Sequence, residues 1–261
     1  MATVIDSDTY LDRINYDGPV EPTIDTLRAL HRQHLLTVPF ENLDIHVPRE
    51  IVLETGWLYE KIVSERRGGF CYELNGLFAE LLRGLGFEVA LLSGSVPRGD
   101  GSPGPEFDHM ALRVDLDEPW LADVGFGELL LHPLPLRVGE QEHDGSRWRI
   151  DEQREQLLLK RRGDDGTWRV EYGFTLEPRE LADFAGMCHY HQTSPDSHFT
   201  RGRVCSIATA DGRVSLASDR LIVTRTGARE EQPVEGEDAW RRALRETFGI
   251  ELPEEPGSDM R

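Results

Sequence analysis

The chain has 261 residues and 38% hydrophobic content, with 48 acidic against 29 basic residues for a net charge of −19; this is enough for a sizeable core in one compound domain or two to three small ones. The acidic excess argues against nucleic acid, whose phosphates need a basic face, and no apolar run approaches membrane-spanning length. Three cysteines, Cys71, Cys188 and Cys205, are too few and too uneven for a disulfide scaffold and fit free thiols in a reducing cytoplasm.

The first stretch, MATVIDSDTYLDRINY, is acidic and lacks the basic-then-apolar order of a signal peptide. TIDTLRALHRQHLLTVPF predicts a helix with Ile24, Leu27, Leu30, His31 and His34 on one face and Thr23 as its cap. GWLYEKIVSE predicts a second, short helix. RRGGFCYELN, residues 66–75, opens a third. Leu74, Leu77, Phe78, Leu81, Leu82 and Leu85 recur at helical spacing, Gly68 and Gly69 break what precedes them, and Gly84 and Gly86 close the helix. The chain to about residue 86 therefore reads as helical. The period then changes to two. FEVALLSGSV, HMALRVDL, PWLADVGFG, QLLLKRR and TWRVEYGFTL predict strands separated by turn residues, the pattern of a barrel or small sandwich. Residues 200–226 predict two or three further strands with Asp211-Gly212 as a hairpin turn. EDAWRRALRETFGIEL predicts a helix carrying Trp240, Leu244 and Phe248 and stopped by Gly249, and the tail PEEPGSDMR reads as disordered.

Cys71 stands at a predicted helix N-terminus, where unpaired N–H groups and the helix dipole favour a thiolate. A small buried core residue is the alternative reading. A nucleophilic thiol needs a base, and the base an orienting carboxylate. His109, in EFDHMALRV, opens an apolar strand beside a Gly/Pro-rich loop. Asp123, in PWLADVGFG, lies between Ala122 and Val124 in an apolar strand, where an unpartnered carboxylate is costly. If the two strands are neighbours, joined at DLDEP, His109 and Asp123 lie side by side. A structural histidine and a turn-capping aspartate are the alternatives.

RRGGFCYELN, FDHMALRV and WLADVGFG together resemble the three catalytic motifs of the arylamine N-acetyltransferases. LTVPFENLDIH, residues 36–46, is similar to that family's N-terminal signature, and SPDSHFTRGRVCS resembles a segment linking its second and third domains. The resemblance implies an α+β fold in three parts with a cysteine-protease-like Cys71–His109–Asp123 triad. The expected parts are a helical bundle with the nucleophile helix (1–86), a β-barrel (87–190), an interdomain segment (191–204) and an α/β lid with the C-terminal helix (205–261). It also implies acetyl-CoA as acyl donor and an aromatic amine or hydrazine as acceptor, with no metal. Val96, Phe126, Gly127 and Phe199 are then the expected substrate and coenzyme contacts, and Glu41 and Arg67 a buried pair that ties PFENL to the nucleophile helix. Asp108 departs from the family pattern, in which a small or hydroxyl residue often precedes the histidine.

A thiol suits acetyl transfer because attack on one thioester forms another, so the first half-reaction is nearly balanced. Amide formation then runs downhill. Other readings share the chemistry. A cysteine peptidase or transglutaminase-like protein uses the same three groups in the same chain order. An amide synthase that closes a macrocycle onto an aromatic amine would keep the triad and change the donor. A metal site is the alternative for Cys188, His189, His191 and His198, since a His-x-His pair on a strand presents both rings on one face. Only Lys61 and Lys160 of the basic residues are lysines. The carboxylate excess points to a protein that works in a salt-rich cytoplasm, where its own field no longer repels the phosphates of its acyl donor.

Overall fold

The computed structural model describes residues 5–47, 49–127 and 130–253; the tail expected to be disordered lies, from residue 254, outside the described residues. The chain begins with α1 (Ser7–Arg13), capped by Asp6, whose carboxylate accepts the N–H groups of Asp8 and Thr9. In α2 (Ile24–Thr37) Thr23 Oγ1 accepts the Thr26 N–H at 3.3 Å, the expected cap. The 3.6-residue period buries Leu27, Leu30, His31 and His34 on one face, with Ile24 half-buried. A short strand, β1 (Phe40–Glu41), precedes α3 (Thr55–Tyr59), which widens into a π-helical turn over Glu60–Ser64. In α4 (Cys71–Gly84) eleven of fourteen residues are buried. A helix apolar on nearly every side must be covered on every side, and α4 packs against α3 on one flank and a large sheet on the other.

That sheet contains β2 (Glu88–Ser95), β3 (His109–Asp115), β4 (Pro119–Ala122), β5 (Leu134–Pro135), β6 (Gly139–His143), β7 (Ser146–Gln153), β8 (Gln156–Arg162) and β9 (Trp168–Arg179), in the order β5-β4-β3-β2-β9-β8-β7-β6. Its pairings are antiparallel. Gln141 Nε2 on β6 donates to the Pro135 carbonyl on β5 at 3.0 Å, so the two edges approach and the barrel nearly closes. Trp148, Ile150, Leu159, Tyr172 and Phe174 fill its interior.

Three strands within this sheet, the two-residue β5 together with β6 and β7, went unforeseen. GEQEH and SRWRIDEQ carry too many charges to read as strands, because their outer faces meet water. After α5 (Ala185–Thr193) and α6 (His198–Arg201) comes a second antiparallel sheet. It holds β10 (Val204–Thr209), β11 (Gly212–Ala217), β12 (Arg220–Arg225) and β13 (Ala228–Pro233), in the order β1-β10-β11-β12-β13. The hairpin turn is Ala210-Asp211 rather than Asp211-Gly212, for Gly212 already pairs with Thr209. A Cβ there would lie 1.9 Å from the Thr224 carbonyl oxygen of β12, so its glycine serves close strand approach. The all-exposed β13 lies past the region expected to hold strands. α7 (Glu237–Phe248) buries Trp240 and Leu244 against Leu43, Cys205 and Leu216, and Gly249 stops it at φ 68°. Because β10 also pairs with β1 (Phe40↔Ser206, Glu41↔Cys205), and Phe40 bridges Gly69 just ahead of α4, this second sheet is fastened to the start of that helix. No helix among the described residues is long and apolar enough to cross a membrane.

Candidate active site

Cys71 is the first residue of α4 and 4% exposed. The glycine pair before it is required sterically. A Cβ on Gly68 would sit 1.9 Å from the Pro39 carbonyl oxygen, and one on Gly69 2.7 Å from Glu73. The space lets Glu73 reach back, and its Oε2 accepts the Phe70 N–H at 3.1 Å, which caps the helix in place of a polar residue at 70.

Glu73 Oε1 also receives Lys61 Nζ at 2.7 Å. Lys61 touches Asp44 at 2.9 Å, and Arg67 bonds Glu41 at 2.8 Å and Asp44 at 2.7 Å. The expected Glu41–Arg67 pair is thus part of a larger buried cluster of three carboxylates and two cations. Arg49, a third exposed, leans on Asp44 from outside at 3.7 Å. With carboxylates in excess, burial pushes Glu73 up to about 7 against the pull of Lys61.

His109 begins β3 and Asp123 lies just past the end of β4, not within it. The β3–β4 register, with Leu112 opposite Ala122, brings both to one end of the sheet. His109 Nε2 lies 2.7 Å from Asp123 Oδ2. Asp123 Oδ1 accepts the Asn75 amide at 2.9 Å and the Gly125 N–H at 3.0 Å. Asn75, one helical turn after Cys71 on the same face, also donates to the Met110 carbonyl at 2.6 Å and accepts the Val124 N–H at 2.9 Å, so it pins α4 to β3 and to the Asp123 loop. His31 Nε2 accepts the Asp123 N–H at 3.1 Å, which leaves the proton on Nδ1, 3.0 Å from the Leu131 carbonyl. Burial lowers His31 to about 4, so it is neutral.

Burial by itself would raise Asp123. The charge and hydrogen bond of His109, with the bonds from Asn75 and Gly125, outweigh it and hold the carboxyl below its usual range. For Cys71 burial wins. The thiol is pushed well above its ordinary value, with a Met110 backbone hydrogen bond opposing and the carboxylates of Asp123 and Asp108 adding to the rise. Burial thus opposes the thiolate that the helix position favours.

Cys71 and His109 open onto one cavity of about 540 Å³, whose walls include Val96, Asp108, Phe126 and Phe199. The Phe126 ring stands edge-on to His109 at 5.0 Å, and Phe199 packs edge-on to Phe70 at 5.5 Å. Gly127, with φ 88°, lines a neighbouring cavity of about 240 Å³ instead. Gly125 has no room for a side chain, since a Cβ would be 2.7 Å from Cys71 Cα and from Asn75 Nδ2. Asn75, His31, Glu73 and Lys61 had no expected role at this site from the sequence. The Cys-x-x-x-Asn spacing on one helix face, and the survival of a lysine in a chain that has nearly none, were the available signals.

The metal reading for Cys188, His189, His191 and His198 is overturned. Residues 185–193 are helix, so His189 and His191 point apart, and no group of three or more His, Cys, Asp or Glu among the described residues is placed to hold an ion. Cys188 is buried beside Gln192 Nε2 at 3.3 Å, and Cys205 belongs to the core under α7.

A family model described as N-acetyltransferase matches residues 23–256. The arylamine N-acetyltransferase of Mycolicibacterium smegmatis is 37% identical over 96% of this chain and 94% of its own length. The proansamycin X synthase of Amycolatopsis mediterranei is 32% identical over 91% and 95%. The structure of Mycobacterium marinum arylamine N-acetyltransferase in complex with CoA superposes with a TM-score of 0.87 at 34% identity, covering 94% of this chain and 93% of that one.

Proposed function

The chain belongs to the arylamine N-acetyltransferase family, and from that premise we propose that this acyltransferase moves acetyl from acetyl-CoA to aromatic amines, hydrazines or N-hydroxyarylamines through an acetyl-cysteine at Cys71. The observation that carries the reading is the 2.7 Å His109–Asp123 contact at the wall of the cavity that Cys71 also lines. With Nε2 committed to Asp123, Nδ1 is the imidazole atom left to serve the thiol. In the first half-reaction the Cys71 proton passes to His109 as sulfur attacks the thioester carbonyl. The C–S bond to coenzyme A then breaks, and its thiolate takes that proton. In the second, the acceptor nitrogen attacks the acetyl-cysteine, His109 takes the nitrogen's proton, and Cys71 leaves and is reprotonated. Asp123 keeps the proton of neutral His109 on Nε2 and stabilises the imidazolium. The Cys71 N–H, in the first turn of α4 where helices leave amides unpaired, is placed to receive the developing oxyanion.

On this reading residues 1–86 hold the nucleophile, 87–190 the base and carboxylate, and 205–261 the lid, joined through 191–204. The three cysteines are free and buried, which suits a reducing cytoplasm. A longer acyl donor is the second reading, favoured by the 32% identity to a chain named as a synthase and by a cavity far larger than an acetyl group. The test is intact-mass spectrometry after acetyl-CoA, then after an aromatic amine. A 42 Da gain on Cys71 that the amine discharges is the expected result. Parallel double-reciprocal lines should accompany it; intersecting lines would remove the acyl-enzyme.

A further inference from the structure

A second histidine–carboxylate contact borders the same cavity. His191 Nε2, on α5, lies 3.2 Å from Asp108 Oδ1, a close contact without hydrogen-bond alignment. His191 is buried, with Nδ1 3.0 Å from Ser197 Oγ, which in turn accepts the Phe199 N–H at 3.2 Å. Its ring packs edge-on to Phe199 at 5.2 Å and lies nearly parallel to Tyr72 at 6.2 Å. These contacts fix the imidazole behind Asp108. The Asp108 side chain, 16% exposed, lines the cavity beside His109 and Phe126. A bound molecule therefore meets the carboxylate end of the pair.

The other charged groups at this cavity do not cancel it. Arg203 is held by Glu237 at 2.9 Å and lies over the Trp240 ring, and Asp219 is held by Arg220 at 2.8 Å. Burial, with His191 adding, keeps His198 below its ordinary range and so disfavours its charged form. A negative wall in the cavity that Cys71 also lines, partly shielded from water, discriminates between charged ligands by roughly tenfold or more for each unit of charge.

We propose that Asp108, held by His191, is a specificity-determining residue that selects acceptors bearing a cationic or hydrogen-bond-donating group on the ring and disfavours those bearing a carboxylate. The inference rests on the acetyl-transfer reading above. It predicts what that reading leaves open, since the triad by itself has no preference among ring substituents.

The test uses three acceptors of one shape and three charges: 4-aminobenzamidine, 4-aminobenzamide and 4-aminobenzoate. Wild-type kcat/KM should fall in that order, with roughly a hundredfold between the ends. In Asp108→Asn the amidine-to-benzoate ratio should contract by at least about tenfold, and Asp108→Ser should act likewise. Acetylation of Cys71 by acetyl-CoA, read by intact mass, is scored first. Its absence in the wild type defeats the acetyl-transfer reading. Its presence with an unchanged ratio in the variants defeats this inference alone. Should neither variant fold, the wild-type ranking still decides, because a benzoate acetylated as fast as the amidine overturns the role of Asp108.

Discussion

Asp123→Asn separates tautomer control from shape. The substitution keeps volume, and the structure dictates how the new amide must lie. At Oδ1 two donors converge, the Asn75 amide and the Gly125 N–H at 2.9 and 3.0 Å, so the amide oxygen of the variant must occupy that position. Its NH₂ group then faces His109 Nε2, 2.7 Å away in the wild type. An amide donor there requires Nε2 to be an acceptor and moves the proton to Nδ1, the atom left for Cys71. The base is blocked, and the imidazolium loses its counter-charge. The same exchange in a serine-protease triad costs about 10⁴ in rate, about 5 kcal/mol of barrier, and a loss of that order is expected here. The protein should stay folded, since the hydrogen bonds at Oδ1 survive. Single-turnover acetylation followed by stopped-flow or intact mass gives the rate, and nitrogen-15 NMR of the labelled imidazole gives the tautomer. Acetylation within tenfold of wild type, or an imidazole still protonated at Nε2, would refute the reasoning.

Cys71→Ser should form no acetyl adduct and show no turnover with a melting temperature within a few degrees of wild type; wild-type turnover would end the covalent mechanism. Gly125→Ala drives a Cβ to within 2.7 Å of Cys71 Cα, so it should lose about 1–3 kcal/mol of stability and most activity, as read by urea unfolding and steady-state assay. Glu73→Gln tests the buried charge cluster. Folding raises Glu73 from 4.5 to about 7, so its contribution is fully present below pH 4.5, where both states are protonated, and is lost as pH climbs to 7. Relative to wild type, the variant should gain about 3 kcal/mol between pH 4.5 and 8; a pH-independent difference in urea midpoints would show that Glu73 titrates normally. The net charge of −19 should make thermal stability rise, and the Michaelis constant for acetyl-CoA fall, from low salt to molar potassium chloride, where the Debye length is about 3 Å. Full stability at low salt with inhibition by added salt contradicts that.

The sequence by itself determined what depends on neighbours in the chain. The 3.6-residue period and Thr23 marked α2, the glycine pair and the leucine spacing placed Cys71 at the head of α4, and Gly249 ended α7. These signals are local because helix dihedrals and caps are satisfied within a few residues. The motif resemblance put Cys71, His109 and Asp123 in one list, but chain spacing holds no information about which atoms meet. Only the tertiary structure decided that Asn75, 48 residues from Asp123, holds its carboxylate, and that His31, 92 residues away, receives its N–H. It decided that β6 and β7 are strands despite their charges, since ladder pairing and one buried face outweigh composition. It turned the Cys188–His198 segment from a ligand set on a strand into helices that seat His191 behind Asp108, 83 residues away in the chain. It also set burial against the helix position of the thiol. A helix N-terminus favours the anion by a local field, but the desolvation that opposes it comes from every element packed around Cys71, and that burial exists only once the chain has closed on itself.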